Sequence, residues 1–217
     1  MSEQDFSSAS HFDDDLGPEP FRTRWITIGV GLLLVGGLLY LLVAAGSQGP
    51  RARPNMGPNH PAVGTKLGNV EFQPLNDGLQ PIHGKDLIGK VTIVNYWGPW
   101  CGVCRLEFPE LMEVEKKHRG NPDFQFLSVS CAYDEPADLD VLRQETDRYL
   151  SGEGYDIAAY TDALARSRRS LIQTARLTQF GFPTTLLLDR DGVIRGLWMG
   201  YSGQTKEELE GLLDELL

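Results

Sequence analysis

From Trp25 to Ala45 the chain runs for 21 residues without a charge. At about 1.5 Å per residue a helix of this length spans about 30 Å, the thickness of a bilayer core. The pattern predicts a transmembrane helix over 25–45. Before it, residues 1–20 hold six acids, no Lys or Arg and no apolar period, which predicts a disordered acidic tail running on to residue 24. After it, Gly46 to Pro61 is rich in Gly, Pro and Asn and predicts a flexible stalk over 46–61, with a folded domain over 62–217. A cleaved signal peptide is the alternative, since Val43-Ala44-Ala45 would suit a signal peptidase. The long polar leader and an apolar run beyond the usual 7–15 residues favour an uncleaved anchor.

Beyond the stalk, short β-branched and aromatic runs alternate with segments of helical spacing. Val70 to Leu75 and Leu79 to Ile82 read as two short strands around the turn Asn76-Asp77-Gly78. Asp86 to Lys90 is a short helical turn feeding a strand from Val91 to Tyr96. Leu106, Leu111, Met112 and Val114 predict a helix reaching about His118, stopped by Gly120-Asn121-Pro122, and Pro109 inside it should kink it. Phe124 to Ser130 predicts a parallel strand, Ala137 to Leu150 a helix, and Tyr155 to Tyr160 a short strand. Ala163 to Thr178 predicts a further helix, with Arg166, Arg168 and Arg169 on a solvated face. Thr184 to Leu188 and Val193 to Met199 predict a hairpin around Asp189-Arg190-Asp191-Gly192, and Lys206 to Leu217 a closing amphipathic helix.

Composition narrows the class without changing this outline. With 217 residues, 41% hydrophobic and 23% charged, the chain has room for one ordinary globular domain plus extensions. Its net charge is −10, and the residues after the stalk keep 16 basic against 24 acidic side chains, a net of −8. With no basic patch or motif opposing that balance, nucleic acid is excluded as a partner.

The candidate chemistry lies in Trp97-Gly98-Pro99-Trp100-Cys101-Gly102-Val103-Cys104. The two cysteines fall on the predicted strand-to-helix junction, where unpaired helix N–H groups and the positive dipole end favour a thiolate at Cys101. Cys104, one turn further in, is close enough to close a disulfide with Cys101 and release whatever Cys101 has attacked. A zinc site lacks a second Cys-x-x-Cys or a His pair to complete four ligands, and haem attachment fails because Arg105 follows. No metal ligand is assigned. A purely structural disulfide in so short a loop would constrain the unfolded chain little and would leave the flanking tryptophans unexplained. The third cysteine, Cys131, reads either as a small buried side chain or as a reactive thiol. The four histidines, at 11, 60, 83 and 118, share no spacing that suggests a site.

Trp-Cys-x-x-Cys, the Cys-x-x-Glu-x-Pro that begins at Cys104, and a later Gly-Phe-Pro-Thr-Thr together resemble the thioredoxin superfamily, specifically its membrane-anchored TlpA/ResA-like branch. The resemblance covers about three quarters of the chain, from roughly Pro61 onward. It implies an α/β thioredoxin fold, a central mixed β-sheet with helices on both faces, with the 70–82 hairpin as an N-terminal extension. It implies that Phe182-Pro183, with a cis proline, faces the cysteines and pairs with an extended substrate segment, and that Trp97 and Trp100 join it in contacting substrate. The positive-inside count is a tie, Arg22 and Arg24 against Arg51 and Arg53, and the resemblance breaks it by placing the domain outside the cytoplasmic membrane, on the periplasmic side.

The resemblance also assigns a base. The buried aspartate that thioredoxins carry on the strand before the motif appears here as Asn95, which cannot titrate, whereas Glu107 lies one turn after Cys104 on the same face. The alternative for Glu107 is a solvated helix glutamate. The implied activity is thiol-disulfide exchange without a cofactor, probing a protein substrate as reductant, recycled by a membrane electron donor, with bacterial cytochrome c maturation as the setting. A dithiol oxidase or isomerase remains open, because Gly102-Val103 is neither the Gly-Pro of reducing thioredoxins nor the Pro-His of strong oxidants. So does a metal or haem chaperone that binds cargo without catalysis, although the three-residue cysteine spacing and later histidine of copper chaperones are missing. The Pro-x-x-x-Thr-x-x-Cys arrangement of peroxiredoxins is also absent.

Overall fold

A computed structural model describes residues 21–46, 57–68, 70–134 and 136–217, with side chains from 28–41 in the first of these segments. The acidic stretch 1–20 and most of the expected stalk lie outside the described residues. Two compact units are present, 1–52 and 53–217.

The first unit contains one helix, α1 (Phe21–Gly46), which starts four residues before the uncharged run. Among the described residues no helix is long and apolar enough to cross a membrane. The described side chains of α1 cover only 28–41, a shorter stretch than the 25–45 run.

The second unit is built on β3 (Val91–Trp97), all seven of whose residues are buried. A strand covered on both faces must be apolar or internally satisfied at every position, and Val-Thr-Ile-Val-Asn-Tyr-Trp is such a run. It pairs in parallel with β4 (Phe124–Ser130) and antiparallel with β6 (Thr184–Leu188), so the sheet is mixed. The remaining strands are β1 (Glu71–Pro74), β2 (Ile82–His83), β5 (Ala159–Thr161) and β7 (Ile194–Met199), and the sheet order is β2-β1-β5-β4-β3-β6-β7. The expected N-terminal hairpin is β1–β2, with its second strand at 82–83 and not over the expected 79–82. It joins the main sheet because β1 also pairs antiparallel with β5.

Side chains on β3 alternate between two cores. Val91, Ile93 and Trp97 pack with α2 (Gly102–His118), α3 (Leu139–Glu153) and α5 (Thr205–Leu216), whereas Val94 and Tyr96 pack on the other face with Leu171 of α4 (Arg166–Thr174). Asn95 shares the parity of Ile93 and Trp97 and so points at α2. This is the thioredoxin fold, with helices on both faces of a mixed sheet.

Three expectations need correction. The strand expected over 155–160 is β5, 159–161, because Asn76 Oδ1 accepts from Ala159 N at 2.7 Å and the ladder starts only there. Tyr155 and Ile157 pack against the core from irregular chain. The helix expected over 163–178 is α4, 166–174; Asp162 starts it by accepting from Ser167 N (3.1 Å) and Arg168 N (2.9 Å). Its Arg168 is not on a solvated face: the side chain is 12% exposed and paired at 3.2 Å with buried Asp162. Finally, order begins before residue 62, since Gly57 lies against Trp198, where a Cβ would come within 2.4 Å of the indole. The 57–66 segment then lies along the β7 edge, with Gly64 N donating to Ile194 O (2.9 Å) and Ile194 N to Thr65 O (2.9 Å), which covers an otherwise open edge.

Candidate active site

The β3–α2 junction positions both cysteines. Cys101 is the N-cap residue of α2, and its sulfur accepts from Cys104 N at 3.2 Å. The two sulfurs are joined as a disulfide, with Cys101 7% and Cys104 1% exposed. An N-cap sulfur lies where free helix N–H groups converge, so reduction leaves a thiolate that the helix end stabilises.

The turn before the cysteines is held from two sides. Arg105 donates from Nε to Pro99 O at 2.9 Å, with Nη2 donating to the same oxygen, and its guanidinium lies 5.3 Å over the Tyr149 ring. Trp100 Nε1 donates to Cys131 O at 2.8 Å. Gly98 is required here, because a Cβ would stand 2.4 Å from Trp100 Nε1 and 2.7 Å from Cys131 O. Cys131 itself is buried, with its thiol donating to Val129 O at 3.7 Å. That environment matches the small buried side chain rather than a surface thiol.

Around the disulfide stands an aromatic rim. Trp100, 37% exposed, meets Tyr133 edge-on at 5.1 Å and Phe182 edge-on at 5.3 Å. The Phe182–Pro183 peptide is cis, and Pro183 is buried at the start of β6. Arg168 lies 5.9 Å over the Phe182 ring, so the buried Asp162–Arg168 pair backs this loop. Trp97 is a different case. It is fully buried, donates from Nε1 to Ser128 Oγ at 2.8 Å and packs 4.4 Å from Phe108, so it forms the floor under the motif and not a substrate contact. Its parity on β3, shared with Val91 and Ile93, was the signal for this.

Glu107 is 1% exposed. Its Oε2 accepts from Asn95 Nδ2 (3.1 Å) and Thr185 Oγ1 (3.2 Å), and Asn95 Nδ2 also donates to Thr185 Oγ1 (2.9 Å). Burial, helped by the charge of Glu110, pushes the carboxyl up to about 7 against the bonds from Thr185 and Asn95, which pull it down. The solvated-glutamate alternative is thereby removed. Thr185, Arg105, Tyr133, Glu110 and Tyr201 were not identifiable beforehand, since their contacts cross 33 to 91 positions or depend on the turn's shape. Among the described residues no group of three or more His, Cys, Asp or Glu is arranged to hold a metal ion.

A thioredoxin fold with a Cys-x-x-Cys disulfide at a helix N-terminus, backed by a carboxyl that titrates near neutrality, defines a thiol-disulfide oxidoreductase. The chain belongs to the Redoxin family, whose model matches residues 62–213. It is similar to the thiol:disulfide interchange protein DsbE of Allochromatium vinosum, 28% identical over 170 residues that cover 78% of this chain and 80% of that one. It is also similar to the thiol-disulfide oxidoreductase ResA of Bacillus cereus, 29% identical over 61% of this chain and 66% of the other. In fold it is like a DsbE crystal structure from Chlorobium tepidum, with a TM-score of 0.56, 22% identity, and coverage of 71% of this chain and 98% of that one.

Proposed function

We propose that this chain is a membrane-tethered reductase of protein disulfides, acting outside the cytoplasmic membrane on substrates such as the haem-binding cysteines of an apocytochrome c. The Cys101 thiolate attacks one sulfur of the partner disulfide, forming a mixed disulfide and releasing the other partner sulfur as a thiolate. Glu107 takes the proton of Cys104, the Cys104 thiolate attacks Cys101, and the partner leaves with both sulfurs reduced. Two electrons have passed to the partner, and Cys101–Cys104 is left oxidised for a membrane electron donor to reduce. Sulfur carries both electrons, so no cofactor is needed.

The observation that carries the direction is the buried Glu107. A carboxyl one turn from Cys104 opposes thiolate charge at and above its own pKa, which favours the disulfide form. A pair that prefers its disulfide gives up electrons readily. The tether is supported by the uncharged 25–45 run, the extracytoplasmic side by the resemblance to the TlpA/ResA-like branch, and the substrate class by the likeness to DsbE and ResA. Equilibration of the full-length chain with glutathione or dithiothreitol buffers tests the direction. A potential near about −270 mV supports a reductant, and one near about −120 mV would make the chain an oxidase.

A further inference from the structure

Each resolution step loads a proton onto Glu107, whose carboxyl is 1% exposed, so turnover requires an exit to water. The question rests on Glu107 being the base proposed above. On the sheet side Asn95 Nδ2 and Thr185 Oγ1 both donate to Glu107 Oε2, and both residues are buried, so neither the amide nor the hydroxyl leads a proton to water. The other oxygen, Oε1, is buried and makes no hydrogen bond among the described residues. Glu110 lies at i+3 on the same helix face, about 5–6 Å away between Cβ atoms. It is half-buried, and its Oε2 is likewise buried without a hydrogen bond among the described residues. Its Oε1 accepts from the Tyr201 hydroxyl at 2.8 Å. Tyr201 is half-buried on the segment between β7 and α5.

We infer that Glu110, held in place by the Tyr201 hydroxyl, relays protons between Glu107 and solvent. When Cys104 attacks Cys101, the bond to the partner sulfur breaks, the Cys101–Cys104 bond forms, and the proton of Cys104 rests on Glu107. Glu107 Oε1 and Glu110 Oε2 are not bonded to each other in the disulfide form, so Glu107 passes the proton to Glu110 through one bridging water, and Glu110 gives it to solvent; both carboxyls return to their starting states and no electrons move. Tyr201 orients Glu110 as a donor and stays protonated, since its bond to Glu110 raises the phenol pKa. The charged groups around the pair are few. On α2 there is Glu113, bonded to Lys206 of α5, and the Lys206 charge also senses Glu110 and Glu210. β3 and β6 present only neutral Asn95 and Thr185 to Glu107. The charges of Glu110 and Glu107 both act on Tyr201, which places the three groups together.

The test follows reduction and reoxidation of the full-length chain by tryptophan fluorescence, in weak buffer across the pH range, with and without added imidazole. Glu110→Gln should slow the proton-coupled step about tenfold, and imidazole should restore most of it by replacing the relay. Glu110→Asp should retain part of the rate, and Tyr201→Phe, which keeps the ring, should slow it roughly fivefold, the worth of one hydrogen bond. Glu107→Gln is the control for the reading beneath: if it reacts like the parent chain across pH, Glu107 is not the base and the relay falls with it. If Glu107→Gln is slow while Glu110→Gln keeps the parental rate and pH profile, the base stands and the relay is wrong. A slow Glu110→Gln that neither imidazole nor Glu110→Asp improves would show Glu110 to be structural, which also overturns the relay.

Discussion

Burial costs the Glu107 carboxylate more than the hydrogen bonds from Asn95 and Thr185 return, so the group is largely neutral until about pH 7. That fixes the sign of a stability effect. The folded-state value lies above the ordinary 4.5, so the folded chain binds the extra proton between those values, and its contribution is full below 4.5 and lost as pH rises through about 7. At about 1.4 kcal/mol per unit the loss is roughly 3 kcal/mol. Urea denaturation should therefore find Glu107→Gln close to the parent at pH 4.5 and more stable than it at pH 8; equal stability at both would show that the carboxyl is not held neutral. The same variant should lose about a hundredfold in exchange rate and the inflection near pH 7. Glu107 was legible because the resemblance puts a glutamate three residues after the second cysteine, on the same helix face, and Asn95 because it stands where thioredoxins carry a buried aspartate. Thr185 was not, since its contact with Glu107 exists only through the β3–β6 register, 78 positions away. Trp97 misled for a related reason: an aromatic beside two cysteines suggests a contact surface, and only its face on the sheet shows that it is floor.

Local sequence fixes where α2 begins, and that start decides which cysteine reacts. Cys101 caps the helix and is 7% exposed, whereas Cys104 lies inside the first turn at 1%. Brief iodoacetamide labelling of the reduced chain with peptide mapping should find Cys101 modified first, and preferential modification of Cys104 would reverse the assigned roles. The cap of α3 is an independent check on element stability: Asp138 accepts from Asp140 N and Val141 N, both at 3.1 Å. Asp138→Ala should cost about 1 kcal/mol by urea denaturation without altering exchange. Most element ends were readable to within a few residues because Gly, Pro and Asn punctuate them. Those of β5 and α4 were not: the ladder to β1, a tertiary contact, sets the first, and the bonds that Asp162 accepts from Ser167 N and Arg168 N set the second.

At the scale of the whole molecule, the fold order was legible from the alternation of strand and helix, while the sheet's edges were not. β2 has only two residues, and β7 is covered by the 57–66 segment, of which the Gly- and Pro-rich composition had suggested that 57–61 was stalk. The tether is tested separately from the chemistry. Protease added to spheroplasts should degrade the domain and leave a small membrane-protected N-terminal fragment; a protected domain, or a mature chain beginning near Gly46, contradicts the placement. The central claim, that Cys101 attacks a partner protein and Cys104 resolves the adduct, is tested most directly by trapping that adduct. In cells producing the full-length Cys104→Ser chain, acid quenching and alkylation followed by non-reducing electrophoresis should reveal mixed disulfides that collapse on reduction and are missing from Cys101→Ser. Adducts on Cys101→Ser instead, or none on Cys104→Ser while the parent chain is active in disulfide reduction, would contradict it.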